Sequence, residues 1–312
     1  MPANREHLTL LRPSHTPLAA AYMSFLLAKE AQRCTEKTLE HYQYTVGGFV
    51  AWLGAQAVPS VTAITPTHIR TYIVALQRRG VKDTTQHAHA RGIKCWLRWL
   101  VREGDLDHSP MEVVAMPRLE QRVPPPFTRE QVRALVAGCD KATPIGARNH
   151  AAILVLLDTG LRAAEFCSLH CGDVDMRSGA TMVMGKGRKQ RQLRVGSKAR
   201  SGIVRMLSWR DWQAGDPLWV SYDHEVPVRP LTVHGLQVML HRLGWRVGVL
   251  PCGPHRFRRT FALWCLRDGM DLESLRLLMG HSSLAVLERY LLLDGSDAAR
   301  AHKAHSPVDN LL

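Results

Sequence analysis

The chain has 312 residues, of which 46% are hydrophobic and 22% charged, a globular composition that excludes wholesale disorder and favours about two domains. The longest apolar run in the body of the chain, residues 151–157, is too short to cross a bilayer, and seven scattered cysteines argue against a disulfide framework, so we expect a cytoplasmic protein with reduced thiols. Lysine and arginine exceed aspartate and glutamate by 41 to 27, a formal charge of +14 that favours a nucleic-acid partner over a merely solvated basic face.

Helical patterns fill the N-terminal part of the sequence, after a segment, 1–15, that has the composition of a flexible tail. Apolar residues recur at helical spacing, and capping residues mark where the helices begin. The predicted helices are 17–31, 35–53 with Thr35 as its cap, a third from Thr65-Pro66 to Gly80, and a fourth from Asp83 to about Glu103. We therefore predict a compact all-α domain over 16–115.

A proline-rich segment, 116–127, predicts an extended linker before a second domain over 128–295 and a tail over 296–312. In the second domain, Thr128 and Gln131 are typical of a capping box, and residues 149–159 predict a buried helix that ends at Gly160. One clear β signal predicts a hairpin with strands 181–184 and 192–195 around a long basic loop. Further predicted helices are 198–213, 232–247, 255–268, 271–280, 283–293 and 297–305.

Five short segments of the second domain carry groups suited to handling a phosphate. They are Thr159-Gly160-Leu161-Arg162-Ala163-Ala164-Glu165, Gly185-Lys186-Gly187, His255-Arg256-Phe257-Arg258, Gly280-His281 and Tyr290. His255 and Arg258 are three residues apart, so they share a helix face and both can donate to one anion. Singly, each segment also has a structural explanation: Arg162 as a surface cation, Lys186 as a turn residue and Tyr290 as an aromatic at the edge of the core.

In this order and at these spacings, the five segments resemble the tyrosine recombinase, or phage integrase, family, and most closely its two-domain Xer-type and transposon-type members. The resemblance implies a mainly α fold: an N-terminal four-helix, SAM-like DNA-binding domain and a C-terminal mixed α/β catalytic domain with a small β-hairpin or sheet. The two domains would close as a clamp around duplex DNA. The sequence departs from many relatives at Phe257, Arg259 and Leu291-Leu292-Leu293, positions that bear on active-site packing and target preference.

By resemblance, Tyr290 is the nucleophile that attacks a DNA phosphodiester, forming a 3′-phosphotyrosine and releasing a 5′-hydroxyl. A phenol with a pKa near 10 needs a proton acceptor or a strongly cationic site to react at neutral pH. Arg162 and Arg258 would donate to the nonbridging oxygens of the transition state, where negative charge develops. His255 and His281 match further phosphate-contacting positions, and His255 is also a candidate acceptor for the tyrosine proton.

Lys186 matches the general acid that protonates the leaving 5′-oxygen. Glu165 matches a supporting carboxylate, to which we assign orientation of the cations. The resemblance also implies a homotetramer on paired sites with a dimer at each site, a tail that packs on the neighbouring protomer, and a related recombinase as a second partner. Candidate recognition helices lie within 65–103 and 232–247. The residues predicted to bind DNA are Arg188, Lys189, Arg191 and Arg259.

Other functions compete with this interpretation. A metal nuclease could use Asp173 and Asp175, and Cys167, His170 and Cys171 lie close enough in sequence to suggest zinc, but no second ligand pair completes such a site. We expect no nucleotide cofactor, because exchanging one phosphoester for another conserves bond energy, and no metal, because cationic side chains would take its place. A catalytically silent DNA-binding accessory protein and a type IB topoisomerase-like enzyme remain the alternatives.

Overall fold

The computed structural model describes residues 17–119, 125–185, 190–223 and 226–280, and the chain divides into two compact units whose boundary falls at residue 122. The N-terminal segment 1–15, the predicted helices 283–293 and 297–305, and the tail lie outside the described residues. Within the described ranges, none of the helices combines the length and the hydropathy needed to traverse a lipid bilayer.

The N-terminal unit consists of helices separated by short turns. They are α1 (Pro17–Ala31), α2 (Glu36–Tyr42), a π-helical turn (Gln43–Gly47), α3 (Gly48–Ala55), a 3₁₀ turn (Val61–Ala63), α4 (Pro66–Arg78) and α5 (Asp83–Glu103). The second predicted helix is thus α2 and α3 joined by the π-helical turn. Thr65 caps α4 as predicted, whereas the Thr35 hydroxyl contacts the Thr38 hydroxyl at 2.9 Å instead of capping a backbone N–H.

Large aromatic side chains fill the core of this unit. Phe25, Phe49 and Trp96 are completely buried, and Trp99 is nearly so. The ring of Phe25 meets Trp99 edge-on with centroids 5.5 Å apart, and Phe49 meets Trp96 in the same way at 6.4 Å. Edge-to-face pairs add to the stabilisation from burial. The predicted all-α character of this part of the chain is confirmed.

The C-terminal unit is built around the buried helix α7. Its elements are α6 (Arg129–Ala137), α7 (Pro144–Thr159), α8 (Ala163–Cys167), a 3₁₀ turn (Cys171–Asp173), β1 (Ala180–Met184), β2 (Gln190–Arg194), α9 (Ser197–Leu207), β3 (Val220–Asp223), β4 (Val226–Pro230), α10 (Val233–Arg246), α11 (Pro254–Arg267) and α12 (Leu272–Met279). Helix α7 packs against α9 and α11. It begins five residues earlier than predicted, because Thr143 accepts a capping hydrogen bond and Pro144 occupies the first turn.

The described strands form two separate antiparallel hairpins. In the first, β1 and β2 pair with Ala180 opposite Arg194 and Met184 opposite Gln190, so the second strand starts two residues before the predicted one. The second hairpin, β3 with β4, has no clear signal in the sequence, and the predicted mixed α/β domain with a small β-hairpin or sheet is confirmed. Pro230 pairs with Val220 in it, and proline is tolerated there because a two-stranded sheet consists only of edges.

The first described residues after the boundary are attached to α11. Nε of Arg256 donates to the carbonyl of Pro125 at 2.9 Å, and the hydroxyl of Thr260 accepts from the backbone N–H of Phe127 at 2.8 Å. The rings of Phe127 and Phe257 are in contact, with centroids 4.7 Å apart. The linker therefore ends on the helix that carries the His255-x-x-Arg258 motif.

Candidate active site

Predicted site residues meet at the C-terminal end of α12. The last carbonyls of a helix have no partner within the helix and must be satisfied elsewhere. Here the backbone turns into the left-handed region at Gly280 (φ 60°, ψ 45°), directly before His281 in the sequence. Three successive carbonyls, of residues 278, 279 and 280, each accept a hydrogen bond from a different arginine. The donors are Nε of Arg191 (2.9 Å), Nη2 of Arg258 (2.7 Å) and Nη2 of Arg162 (2.9 Å), respectively.

Arg162 is positioned by the sharp turn between α7 and α8. Gly160 ends α7 with φ 58°, and a Cβ at this position would lie 2.3 Å from the ring of Phe261, so glycine is required twice over. Nη1 of Arg162 donates to Oε1 of Glu165 at 2.8 Å, and its backbone N–H donates to Oε2 at 3.0 Å. The Arg162 side chain is 34% exposed, so its guanidinium is held on one side and open to solvent on the other.

Glu165 is a buried carboxylate shared by two guanidinium groups. Its side chain is 5% exposed and accepts from Arg162 and, at 3.0 and 2.8 Å, from Nη1 and Nη2 of Arg191. Burial raises the pKa of Glu165, but the hydrogen bonds from Arg191 and Arg162 outweigh burial and lower the pKa to about 2. The carboxylate is therefore ionised throughout the physiological pH range.

Arg191 lies on β2, although the sequence assigned it to a DNA-binding loop. Along β2 the side chains alternate between exposed and inward-facing, and Arg191 points inward with 13% of its side chain exposed. Its guanidinium is committed to Glu165 and to the end of α12, so it does not offer the open cation that a DNA contact needs. The other cations of the predicted loop, Lys186, Arg188 and Lys189, lie outside the described residues.

Helix α11 carries three further predicted residues in different environments. Arg258 is 3% exposed, and its Nη1 donates to the carbonyl of Gly160 at 2.7 Å. His255, one turn earlier, is exposed and lines an open cleft of about 550 Å³ together with His234 and His241 of α10. Arg259 is 2% exposed because the helix turns it inward, so its predicted contact with DNA does not match its position. Arg162, Glu165 and Arg258 are thus brought together, and α11 links His255 to them.

The carboxylates that suggested a metal nuclease hold turns instead. Asp173 accepts from the backbone N–H of His170 at 2.7 Å, and Asp175 accepts from the backbone N–H of Arg177 at 2.8 Å. Over the described ranges, no group of three or more His, Cys, Asp or Glu side chains is arranged to bind a metal ion. His281 and Tyr290 lie outside these ranges.

Comparison with known proteins identifies both units. Residues 126–295 match the model of the phage integrase family, and residues 22–104 match that of the phage integrase N-terminal SAM-like domain. Tyrosine recombinase XerC of Bacillus pumilus is 28% identical over 275 residues, covering 86% of this chain and 90% of the relative. The XerC of Xanthomonas campestris is 27% identical over 300 residues, covering 95% and 91%.

Solved structures share the fold at low identity. The Tn1549 transposon integrase in complex with circular intermediate DNA superposes with a TM-score of 0.72 at 18% identity, covering 92% of this chain and 99% of that one. The XerH site-specific recombinase bound to a palindromic substrate gives a TM-score of 0.69 at 18% identity, covering 90% and 82%. Since the integrase family model matches more than half of the chain, this protein belongs to the phage integrase family of tyrosine recombinases.

Proposed function

We propose that this family member is a site-specific DNA strand transferase that cleaves and rejoins duplex DNA through a 3′-phosphotyrosine on Tyr290. The observation that carries the proposal is the convergence of two arginines on the last carbonyls before His281: Arg258 donates to Met279, and Arg162, which is also held by the carboxylate of Glu165, donates to Gly280. A partly buried cationic cluster of this kind suits a phosphodiester whose negative charge increases in the transition state.

The proposed reaction has two balanced halves. The Tyr290 oxygen attacks phosphorus and loses its proton, for which His255 is the candidate acceptor, while the bond from phosphorus to the 5′-oxygen breaks. Lys186 protonates the departing oxygen, giving a free 5′-hydroxyl. In the second half, a 5′-hydroxyl attacks the phosphotyrosine and releases the phenol. Each half exchanges one phosphoester for another, so the reaction requires no nucleotide, and Arg162 and Arg258 would supply the positive charge that a metal ion provides in other enzymes.

The two arginines would act as forked donors to the nonbridging oxygens. Each guanidinium carries five N–H groups, and the contacts of Arg162 to the Gly280 carbonyl and to Glu165 use only part of this capacity. Its 34% exposure gives the phosphate access from solvent. The backbone partners of Arg258 fix the direction of its guanidinium before the substrate arrives, which lowers the reorganisation needed for cleavage.

Duplex DNA is the proposed substrate, with one dimer at each site and a tetramer on paired sites. The solved relatives bound to DNA support duplex binding, and the charge of +14 supports a contact dominated by phosphates. In the C-terminal unit, α10 and the exposed His255 border the same open cleft, which favours α10 as a base-reading element next to the reacting phosphate. The segment 296–312 is proposed to join neighbouring protomers.

Covalent trapping tests the proposal. The purified protein is incubated with fragmented double-stranded DNA of the source genome, in EDTA, and adducts are isolated under denaturing conditions and sequenced to define the site. A duplex carrying this site should then yield an adduct and recombinant products with the wild type, and neither with Tyr290→Phe, which should bind the duplex equally well. Binding without an adduct would favour the accessory-protein alternative, and relaxation of supercoiled plasmid without recombinants would favour the topoisomerase alternative.

A further inference from the structure

Arg191 joins three segments of the candidate active site through one guanidinium. Its Nη1 and Nη2 donate to the two oxygens of Glu165 at 3.0 and 2.8 Å, a bidentate pair, and its Nε donates to the carbonyl of Leu278 at 2.9 Å. Bidentate pairs of this kind fix orientation as well as adding energy. All three nitrogens of the guanidinium are therefore engaged within the protein, and the side chain is 13% exposed.

The same carboxylate oxygens hold Arg162. Oε1 of Glu165 accepts from Nη1 of both arginines, and Oε2 accepts from the backbone N–H of Arg162 and from Nη2 of Arg191. Without Arg191, half of these hydrogen bonds vanish, and among the described contacts the carboxylate keeps only those from Arg162, three residues away in the same turn. The position of the Arg162 guanidinium, which has Glu165 as its charged partner in these contacts, would then loosen.

Arg191 also contacts the turn that leads to His281. A Cβ placed on Gly280 would lie 3.1 Å from Nη1 of Arg191, so the turn packs directly on this guanidinium. Arg191 is also the second residue of β2, the strand that directly follows the segment carrying Lys186. A packing role alone would be served by an apolar residue, which avoids the cost of desolvating a cation.

From this geometry we propose that Arg191 is a positioning residue for strand cleavage: it holds Glu165, and through Glu165 the Arg162 guanidinium, in the orientation that meets the scissile phosphate. The inference rests on the proposed strand transferase function. It replaces the assignment of Arg191 as a DNA contact.

The test compares Arg191→Ala and Arg191→Lys with Arg194→Ala, a matched control because Arg194 lies on the same strand with its side chain exposed. Single-turnover cleavage of the site duplex, its dissociation constant and thermal unfolding are measured for each variant. Arg191→Ala should cleave about 10²-fold more slowly, the cost of a small misplacement in an active site, while its dissociation constant stays within about twofold. Arg191→Lys, which keeps the charge but not the fork, should fold and be slowed as well. Arg194→Ala should cleave at the wild-type rate once bound.

Two further measurements separate positioning from a merely structural role. The double variant Arg191→Ala/Glu165→Gln should be no slower than the slower single variant, because both changes break one connection; losses that multiply would overturn the inference. A strand with sulfur in place of the leaving 5′-oxygen should not rescue Arg191→Ala, whereas rescue would show that Arg191 acts on the general acid instead.

The remaining outcomes also decide between explanations. If Arg191→Ala loses DNA affinity and this loss accounts for its slower cleavage, Arg191 acts by contacting DNA, as the sequence predicted. If the wild type cleaves the site duplex and the Arg191 variants cleave it equally fast, this inference is overturned and the proposed function is not. Absence of cleavage by the wild type would overturn the proposed function, and the inference with it.

Discussion

Replacing Glu165 by glutamine should destabilise the C-terminal unit by an amount that depends on pH. Glutamine keeps the shape of the side chain but removes the charge that two arginines share at 2.8 Å. Breaking a buried ion pair by neutralising one partner is strongly destabilising, because the remaining cations stay desolvated without compensation. The change leaves no cavity, so electrostatics dominate the expected effect.

The magnitude follows from the carboxyl pKa. Holding the pKa of Glu165 at about 2 rather than at its ordinary value of 4.5 corresponds to about 3 kcal/mol of folding free energy near neutral pH. Because the folded-state pKa is lowered, this stabilisation is complete above the unfolded-state pKa and is lost as the pH falls toward the folded-state pKa. By linkage, about 1 kcal/mol remains at pH 3.

The assay is urea unfolding of the full chain at pH 6, 4 and 3, with the transition of the N-terminal unit as an internal reference. The free-energy gap between wild type and Glu165→Gln should shrink as the pH falls. Glu273→Gln is the matched control, because Glu273 pairs with Arg276 at the exposed surface of α12 and its loss should leave no measurable gap. A gap for Glu165→Gln that stays constant from pH 6 to pH 3, or is absent, would refute the electrostatic role of this carboxylate.

Three further predictions follow from the same geometry. Gly160→Ala should lower the unfolding free energy by more than about 1 kcal/mol, since its Cβ would clash with Phe261 at a positive φ; an unchanged melting temperature would contradict the described turn. Lys186→Ala should cleave ordinary DNA about 10²–10⁴-fold more slowly yet recover on the sulfur-substituted strand, and equal rates on both would assign the general acid elsewhere. Arg188→Ala and Lys189→Ala should each reduce the log–log salt slope of DNA binding by about 1, measured by fluorescence anisotropy, and an unchanged slope would mean that these side chains are merely solvated.

The sequence predicts much of the fold where local signals are strong. The capping box at Thr128 and Gln131 is present with both hydrogen bonds, and α7 ends at Gly160 as the pattern indicates. Such signals are local, since they depend on residues within one helical turn. Four-helix spacing in the first 103 residues likewise predicts the helical N-terminal unit, and the fold class is confirmed.

What the sequence does not predict depends on long-range pairing. The second hairpin has no clear sequence signal, because a proline such as Pro230 disfavours a strand. The pairing of Pro230 with Val220 forms only when the chain folds. Arg191 looks like one more cation of a basic loop, because its carboxylate partner is 26 residues away. The burial of Arg259 also depends on tertiary packing, because residues 256–263 of α11 are all buried in the folded unit. None of these contacts has a period or a motif that a single sequence reveals.

The way in which the arginines are held explains how a cationic site can be both rigid and available to phosphate. Arg162, Arg191 and Arg258 bring three positive charges to the end of α12, where Glu165 supplies one negative charge among the described contacts and backbone carbonyls supply the other acceptors. The C-terminal end of a helix is equivalent to about −0.5 charge, so these groups together retain about +1.5. Three carboxylates would have fixed the same guanidinium groups but cancelled their charge. Neutral carbonyls orient the cations and leave most of their field for a phosphodiester that becomes more negative as it reacts.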